Sequence, residues 1–369
     1  MTSLAQSGLA TLTRGIEEIG GTRFIWIIPD EPKHAKDKRD LYLRKLTLGD
    51  REALGSAIPN LESIVATYKF YNSAVSAPGR PATITTLLAT EPSYFSAYKM
   101  KLMSGRELSA TDLKLGRRVV VIGHELSQKL FKGANPLGKA ISFRGDRFEV
   151  VGLLSPNQKS GVRLGYNWDE IAIMPITAPG VGTDVEEISM TVKRTEDGDR
   201  AIRTANAILM HRHHGVDNFQ FLDFGGLLKN FYTAFAIMKA VVALIASVAL
   251  LIGGVGVMNI MMVSVNERMR EIGLRKALGA SKLRIRTQFL TEAVVLSVAG
   301  AVIGVALGIG TTKAASAIIT MMNPAWVSQF SYGAILISVV ASAAVGVFFG
   351  WYPAKRASEL EPIACLRHE

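Results

Sequence analysis

The chain has 369 residues, of which 20% are charged, with a formal net charge of +11 and one cysteine, Cys365. A single cysteine excludes an intramolecular disulfide, so a folded domain must rely on its own core. The positive charge does not indicate a nucleic-acid-binding protein. The basic residues concentrate in residues 33–45 and in the stretch after residue 266, and no recognition motif accompanies them.

The first 226 residues alternate short strands with short helices. Residues 1–22 form a predicted amphipathic helix that ends at Gly20 and Gly21. Thr47 is the predicted cap of the next helix. Helices are predicted at residues 46–58, 123–131 and 197–212, and a short helix with a turn at residues 92–102. Strands are predicted at residues 23–28, 62–70, 82–89, 118–122, 139–144, 148–154, 171–174, 187–193 and 218–222. These elements predict an α+β domain.

Two polar segments connect these elements. Residues 29–45 are basic and predict a solvated loop, with contact to anionic headgroups or to a partner as the alternative. Residues 104–108 predict a turn. The strand predicted at residues 187–193 has an alternating pattern of apolar and polar residues.

Two motifs in this domain resemble ligand sites. Residues 133–140, GANPLGKA, match a nucleotide loop except at Ala140, which lacks the hydroxyl that binds magnesium, and a strand is predicted to follow instead of a helix. Residues 211–214, HRHH, predict a solvated helix end, because adjacent histidines on a helix point in different directions. We expect no ATPase site, no metal site and no catalytic residue. A hydrolase site assembled from residues distant in sequence stays open.

Three long uncharged windows follow residue 239, and Asn323-Pro324 interrupts the last of them. About 20 helical residues cross a hydrocarbon core of about 30 Å. Residues 227–369 therefore predict an all-α transmembrane domain of three helices. The predicted spans cover about residues 240–265, 293–312 and 332–352. A first helix that starts near Leu227 exceeds the bilayer thickness and predicts a stalk outside the membrane.

The loop at residues 266–292 joins the first two predicted spans. It holds seven Lys and Arg residues, with Glu267 and Glu271 among them. Short basic loops stay in the cytoplasm, so we expect this loop and the C-terminus inside and residues 1–239 outside. Residues 1–22 have no features of an export signal. We therefore expect one more span before residue 1, in the natural protein or in a partner chain.

Small residues recur at every fourth position in two predicted spans. They are Gly300, Gly304 and Gly308 in the second span and Ser338, Ser342, Gly346 and Gly350 in the third. This spacing lines one helix face with small side chains and favours close packing of helices, with a substrate path as the alternative. Asn259, deep in the first span, predicts a hydrogen bond between helices rather than a transport role.

The basic loop itself predicts two short helices, one at about residues 267–278 and one that starts at residues 279–281. They either lie among the lipid headgroups or dock onto a cytoplasmic protein. Residues 267–280, ERMREIGLRKALGA, resemble the signature of the FtsX/MacB permease family of ABC transporters. Residues 119–152 resemble the MacB-type periplasmic core domain, and residues 352–369 resemble the C-terminal tail of the family. The family has four spans, whereas three are found in this chain.

The resemblance implies a permease subunit in the bacterial inner membrane that is not itself an enzyme. Family members are homodimers that bind cytoplasmic ATPases, and here the ATPase, with its ATP and Mg²⁺, must be a separate chain. Partners also implied are membrane lipid, a periplasmic adaptor and an outer-membrane channel. The implied coupling helix contacts the ATPase through Glu267, Arg268, Arg270, Glu271, Ile272, Gly273, Arg275, Lys276, Leu278 and Gly279.

The resemblance also implies how the periplasmic part, residues 1–226, is divided. A porter-like subdomain comprises residues 1–90 and 186–226, and an inserted subdomain comprises residues 91–185. Export driven by ATP hydrolysis is the expected function. Two alternatives stay open: lipoprotein release or antimicrobial-peptide resistance in the same family, and a transmembrane signalling scaffold that activates a cell-wall hydrolase.

Overall fold

The computed structural model describes residues 2–30, 45–156, 166–215, 219–322 and 326–366. Its chain divides into two compact units, one formed by Thr11–Phe231 and one by Met1–Ala10 together with Tyr232–Glu369. Most of the basic connector predicted at residues 29–45, and the break predicted at Asn323-Pro324, lie outside the described residues.

The unit Thr11–Phe231 combines a mixed β-sheet with short helices. Its strands are β1 (Phe24–Pro29), β2 (Leu46–Thr47), β3 (Leu61–Ser76), β4 (Thr83–Thr90), β5 (Leu102–Gly105), β6 (Val119–Ile122), β7 (Ala140–Phe143), β8 (Asp146–Leu154), β9 (Ile171–Pro175), β10 (Asp184–Val185), β11 (Glu187–Val192) and β12 (Phe219–Asp223). Its helices are α1 (Thr2–Ile19, which begins in the other unit), α2 (Leu48–Ala57), α3 (Ser93–Ala97), α4 (Ala110–Lys114), α5 (His124–Phe131) and α6 (Gly198–Arg212).

Ten of the described strands form one sheet, in the order β12-β1-β11-β3-β4-β9-β6-β8-β5, with β7 paired to β3 and β8. The pairs β4–β9 and β6–β8 are parallel, and the other pairs are antiparallel. The predicted α+β class is therefore confirmed. Strands from the two segments implied to be porter-like occupy one half of the path, and strands from the segment between them occupy the other. Their division into subdomains stays a prediction.

Two strand predictions differ in detail from the structure. The strand predicted at residues 187–193 is present as β11, but its polar residues are buried as well as its apolar ones. β11 lies between β1 and β3, so both of its edges are hydrogen-bonded, and its burial pattern shows that other parts of the unit cover both of its faces. A turn is predicted at residues 104–108, but Ser104 and Gly105 are the last residues of β5 and pair with β8. A short apolar segment becomes a strand here because a partner strand supplies its hydrogen bonds.

The predicted cap at Thr47 is confirmed and explains where α2 begins. The backbone N–H of Asp50 donates to Thr47 Oγ1 at 3.2 Å, and the backbone N–H of Thr47 donates to Asp50 Oδ2 at 2.8 Å. This reciprocal pair satisfies two donors that a helix start leaves without intrahelical partners.

Residues 211–214 are not the wholly solvated helix end that was predicted, because His213 is buried. Its Nε2 lies 3.2 Å from Asp50 Oδ2, and the Nε of Arg212 donates to Asp50 Oδ1 at 2.5 Å. Burial raises the pKa of the Asp50 carboxyl, but hydrogen bonds from Arg212 and Thr47 and the charge of His213 outweigh burial, so this pKa is lowered. Asp50 thus joins the start of α2 to the end of α6.

A buried ion pair lies among aromatic rings in this unit. Lys69 of β3 pairs with Glu187 of β11, and both side chains are more than 90% buried. The hydroxyl of Tyr98 donates to Glu187 Oε1 at 3.1 Å. The Nζ of Lys69 lies 5.2 Å from the ring centroid of Trp26 and 5.5 Å from that of Tyr166. The pair therefore has the additional partners that a buried ion pair needs.

The second unit is mainly helical. Beyond the start of α1, it contains α7 (Phe224–Glu267, of which the first residues belong to the other unit), α8 (Met269–Ala277), α9 (Lys282–Met322), α10 (Tyr332–Glu359) and α11 (Pro362–Leu366). Among the described residues, α7, α9 and α10 are long and apolar enough to cross a membrane. The three-helix part of the predicted fold is thereby confirmed.

These helices extend beyond the predicted spans. α9 has 41 residues and extends past the predicted end of its span at residue 312, because residues 313–322 continue the helix with only Lys313 charged. α10 continues through Pro353 to Glu359. α7 has 44 residues, in agreement with the predicted long first helix.

Candidate functional site

The segment between α7 and α9 contains the short helix α8. Arg268 alone separates α8 from α7. At the other end, the N–H of Ala280 donates to Arg275 O and the N–H of Gly279 donates to Lys276 O, each at 3.0 Å. This is the Schellman arrangement, and Gly279 adopts the φ of 93° that it requires. Glycine at this position therefore ends α8 and turns the chain into α9.

One face of α8 is buried against the protein itself. Ile272 is 2% exposed and belongs to a small core, and Gly273 is also buried. This core consists of Met261 and Val265 of α7, Ile272 of α8, Ile285, Phe289 and Ala293 of α9, and Ala354 and Ala357 of α10. A Cβ added at Gly273 would lie 2.5 Å from the Cβ of Cys365 in α11. Two residues implied to touch an ATPase therefore face their own chain.

Lys276 also points toward its own chain. Its Nζ donates to the backbone carbonyl of Ser358 at 2.8 Å and to that of Leu360. Both carbonyls lie at the end of α10, where helix carbonyls lack intrahelical donors. Lys276 therefore caps α10, a role that the spacing of charges along the sequence did not indicate.

Three further charged side chains join α8 and its N-terminal flank to neighbouring residues. Arg275 donates to Gln288 Oε1 at 2.7 Å and pairs with Glu271. Arg268 Nη1 lies 3.3 Å from Glu292 Oε1. Gln288 and Glu292 belong to α9, so α8 is attached to α9 by polar contacts as well as through the small core.

The opposite side of this segment is exposed. It presents Glu267, Arg270, Leu274, Leu278 and Gly279. Leu278 is 80% exposed and Leu274 is 53% exposed. Leu274 was missed in the sequence analysis, although its spacing of four residues from Arg270 and from Leu278 places it on the same helix face. Exposed leucines beside charged groups form a surface suited to a protein partner or to lipid headgroups.

The predicted packing residues of α10 lie close to α9. A Cβ added at Gly350 would lie 2.5 Å from the Cβ of Ala293, and one added at Gly346 would lie 2.8 Å from Ser297 Oγ. Gly254 of α7 was not singled out from the sequence, yet a Cβ there would lie 2.3 Å from the ring of Phe349. The run GGVG around it, residues 253–256, was the available signal.

The packing residues of α9 are placed differently. Among the described residues, no atom from another segment lies within 4 Å of a Cβ added at Gly300, Gly304 or Gly308. Gly304, Gly308 and Ser342 line a largely apolar cavity of about 460 Å³ between α7, α9 and α10. Their predicted role in packing stays a prediction.

Asn259 lies exposed on α7 and lines a shallow cavity of about 340 Å³ with Val263, Ser264 and Glu267. Its side chain makes no hydrogen bond within the described part of the chain. The hydrogen bond predicted for it would therefore need a residue from outside this part of the chain.

The segment 133–140, considered above as a nucleotide loop, joins α5 to β7. The residues after Gly138 enter a strand, as the sequence analysis expected, and β7 pairs with β8 in register from Ala140 to Phe143. A phosphate-binding loop of this pattern opens a helix, whose N-terminal N–H groups meet the phosphate. The segment 133–140 therefore lacks the helix N-terminus that a phosphate-binding loop of this pattern needs.

Comparison with known proteins extends over the whole chain. Residues 1–208 match the family model of the MacB-like periplasmic core domain, and residues 243–362 match that of the FtsX-like permease C-terminal domain. The chain is 31% identical over 369 residues to the uncharacterized ABC transporter permease YknZ of Bacillus subtilis (strain 168). This alignment covers 100% of the present chain and 90% of YknZ.

The macrolide export ATP-binding/permease proteins MacB are longer relatives. Identity is 30% to MacB of Syntrophobacter fumaroxidans, over 77% of this chain and 47% of that protein. It is 32% to MacB of Azoarcus sp. (strain BH72), over 84% of this chain and 48% of that protein. The chain thus spans about half the length of these MacB relatives.

Among solved structures, the periplasmic region of MacB from Actinobacillus actinomycetemcomitans is similar with a TM-score of 0.49 and 18% identity, over 60% of this chain and 97% of that structure. The matched model of the periplasmic core domain alone covers more than half of the chain, and the match to YknZ extends nearly from end to end. The chain therefore belongs to the MacB/FtsX-type family of ABC transporter permeases.

Proposed function

We propose that this chain is the permease subunit of an ABC exporter in the bacterial cytoplasmic membrane, driven by an ATPase on a separate chain that binds ATP and Mg²⁺. The names of the MacB relatives combine ATP-binding and permease roles. Both family models that match this chain describe permease-type domains. The Bacillus subtilis relative YknZ is named as an ABC transporter permease alone, which supports an ATPase supplied by another polypeptide.

The orientation follows from charge. The segment between α7 and α9 carries the basic residues that resist translocation, so α8 lies in the cytoplasm. The sheet of Thr11–Phe231 then lies outside the cytoplasm, because α7 carries the chain across the membrane once between them. The C-terminus is cytoplasmic, since α9 and α10 add two further crossings.

The observation that carries this proposal is the two-sided character of α8. Its inner face is held by the small core and by Lys276, whereas its outer face presents Arg270, Leu274 and Leu278. Two exposed leucines beside a basic group are costly to leave in water, and a protein partner with an apolar groove and acidic rim would cover them. The ATPase is the partner that the family membership favours.

Movement of α8 would reach the extracytoplasmic sheet through α7. At about 1.5 Å per residue, the 44 residues of α7 extend roughly 66 Å, about twice the hydrocarbon thickness. Phe224, the first residue of α7, directly follows Asp223, the last residue of β12. A continuous helix of this length transmits a displacement without a flexible joint in the membrane.

The docking surface is tested with Leu278→Asp in the full-length protein. We expect at least a tenfold weaker affinity for the purified ATPase subunit, because a charge replaces an apolar contact at the interface. Leu115→Asp is the matched control, since Leu115 is also exposed, at 64%, but lies in the extracytoplasmic unit. Binding of Leu278→Asp with the affinity of the wild type would contradict this docking surface.

A further inference from the structure

The end of α10 and the helix α11 hold the inner face of α8. We call this contact the C-terminal clamp and define it by Ser358, Leu360 and Cys365 on one side and Gly273 and Lys276 on the other. It joins residues that lie more than 80 positions apart in the sequence. Helices that are neighbours only through such contacts move together as long as the contacts persist.

The polar half of the clamp is Lys276. Its ammonium group donates to the carbonyls of Ser358 and Leu360, which are acceptors at the end of α10. A positive charge is also favourable there because of the helix dipole. Breaking this contact would leave two carbonyls of a partly buried helix end without their donor.

The apolar half of the clamp is the approach of α8 to α11 at Gly273. A Cβ at Gly273 would lie 2.5 Å from the Cβ of Cys365 and 3.5 Å from the carbonyl oxygen of Pro362. Carbon atoms that are not bonded do not approach to 2.5 Å, so only glycine permits this contact. Cys365 is 1% exposed as a result.

From these contacts we propose that the C-terminal clamp makes α8 and the cytoplasmic end of α10 a single rigid body. A displacement of α8 then passes directly to α10, in addition to α7. This inference rests on the proposed function, in which the ATPase moves α8. Lys276 is accordingly a positioning residue that transmits movement, and it is not part of the surface that binds the ATPase.

The rigid body extends to α9. Gly350 of α10 is in close contact with Ala293 of α9, and Arg275 of α8 binds Gln288 of α9. By contrast, the link from α8 to α7 along the chain is the single residue Arg268, which has non-helical backbone angles. The clamp thus provides a route to α10 that does not depend on this joint.

Cys365 is the only cysteine of the chain and provides a native probe of the clamp. Its alkylation by N-ethylmaleimide requires α8 and α11 to separate. We would measure this rate for the full-length protein in nanodiscs, alone, with a cysteine-free ATPase, and with that ATPase trapped by ATP and vanadate. The alkylation rate should stay low, and the rates in the three states should differ from one another by less than threefold. A rise of more than tenfold in the trapped state would show that α8 leaves the clamp, and would overturn the proposal.

Lys276→Met provides the second test, because methionine keeps the length of the side chain and removes the ammonium group. Without the ATPase, Cys365 should react at least tenfold faster in this variant. Affinity for the ATPase should stay within threefold of the wild type, whereas stimulation of ATP hydrolysis by the permease should fall at least fivefold. Lys276→Arg should restore both readouts, since its guanidinium group can donate to both carbonyls.

Two results would overturn the role of Lys276. One is alkylation of Lys276→Met at the wild-type rate, which would show that the ammonium does not hold the clamp. The other is loss of ATPase affinity together with stimulation, which would place Lys276 in the binding surface. If the wild-type protein fails to bind the ATPase, the proposed function is overturned, and the transmission of movement through the clamp is overturned with it. The alkylation rate measured without the ATPase still tests the clamp itself in that case, because this rate does not depend on ATPase binding.

Discussion

Individual charged residues of the unit Thr11–Phe231 are stabilised by specific partners. Lys69 and Glu187 illustrate this, since each is buried and each is the counter-ion of the other. Burial, followed by the negative charge of Glu187, raises the pKa of Tyr98 well above its ordinary value. The Tyr98 hydroxyl therefore stays protonated and able to donate. The network connects β1, β3 and β11 with the segment after α3.

Removal of one member of this ion pair should be strongly destabilising. Lys69→Met leaves the Glu187 carboxylate buried without its counter-ion, which costs about 3–5 kcal/mol. The double variant Lys69→Met/Glu187→Leu should recover most of this loss, because it removes both charges. Thermal unfolding of the full-length protein, followed by circular dichroism, measures both variants. Equal stability of Lys69→Met and the wild type would show that the pair contributes little.

Asp112 predicts a dependence of stability on acid pH. Burial raises the pKa of its carboxyl, but hydrogen bonds from Arg106 and Ser109 outweigh burial and lower the pKa from 3.8 to about 2. A pKa that is lower in the folded state adds stability above the unfolded value of 3.8, and this stability is lost as the pH falls toward 2.

The variant Asp112→Asn isolates this contribution, since the amide oxygen of asparagine can still accept the backbone N–H of Ser109 at the start of α4 and the side chain has no charge. Its melting temperature should lie below that of the wild type at pH 6, and the two should converge as the pH approaches 2. Melting curves of both proteins between pH 2 and pH 6 provide the measurement. A constant difference over this range would mean that the carboxylate charge is not responsible.

At the scale of elements, the close packing of α9 and α10 depends on two glycines of α10. Gly350→Leu would place a side chain where Ala293 already lies, so the helices must separate, at a cost of about 1–3 kcal/mol. Gly300→Leu is the matched control in α9, because the space beside Gly300 is open within the described part of the chain.

The measurement is the melting temperature of both variants in the same detergent. We expect a clear decrease for Gly350→Leu and a change of at most 1–2 °C for Gly300→Leu, since an exposed substitution typically changes stability by less than about 0.5 kcal/mol. Similar decreases in both variants would indicate that Gly300 also packs closely, for example against a second copy of the chain.

At the scale of the whole molecule, the family membership and the exposed positions of α7 and α9 support an assembly. Asn259 in α7 and the glycine face of α9 lie on surfaces that other described segments leave open. Both kinds of residue favour association of helices in membranes, the first by hydrogen bonding and the second by close approach. A second permease copy is the occupant that we propose for such surfaces.

Co-purification tests this assembly. Two copies of the full-length protein with different tags should be recovered together from solubilised membranes, along with the ATPase. A periplasmic adaptor in the same complex would favour export. Recovery of a cell-wall hydrolase bound to residues 1–239 would instead favour the signalling scaffold. Recovery of single copies without partners would contradict the proposed exporter.

Local patterns in the sequence were sufficient for many of these features. The cap at Thr47, the long first helix and the short helix within the basic loop depend on residues that are close along the chain, and all three are present in the structure. The full burial of β11 and of His213 was not predicted, because it depends on strands and helices that the chain brings together from distant positions.

By itself, the sequence determined the class of protein, because uncharged windows, a basic loop and the motif at residues 267–280 are local signals. Only the tertiary structure decided which side of α8 is available to a partner. Ile272, Gly273 and Lys276 belong to the same motif as Arg270 and Leu278, yet they face inward. The reason is physical: α10 and α11 cover that side through contacts more than 80 residues apart in sequence, and local hydropathy contains no information about such contacts.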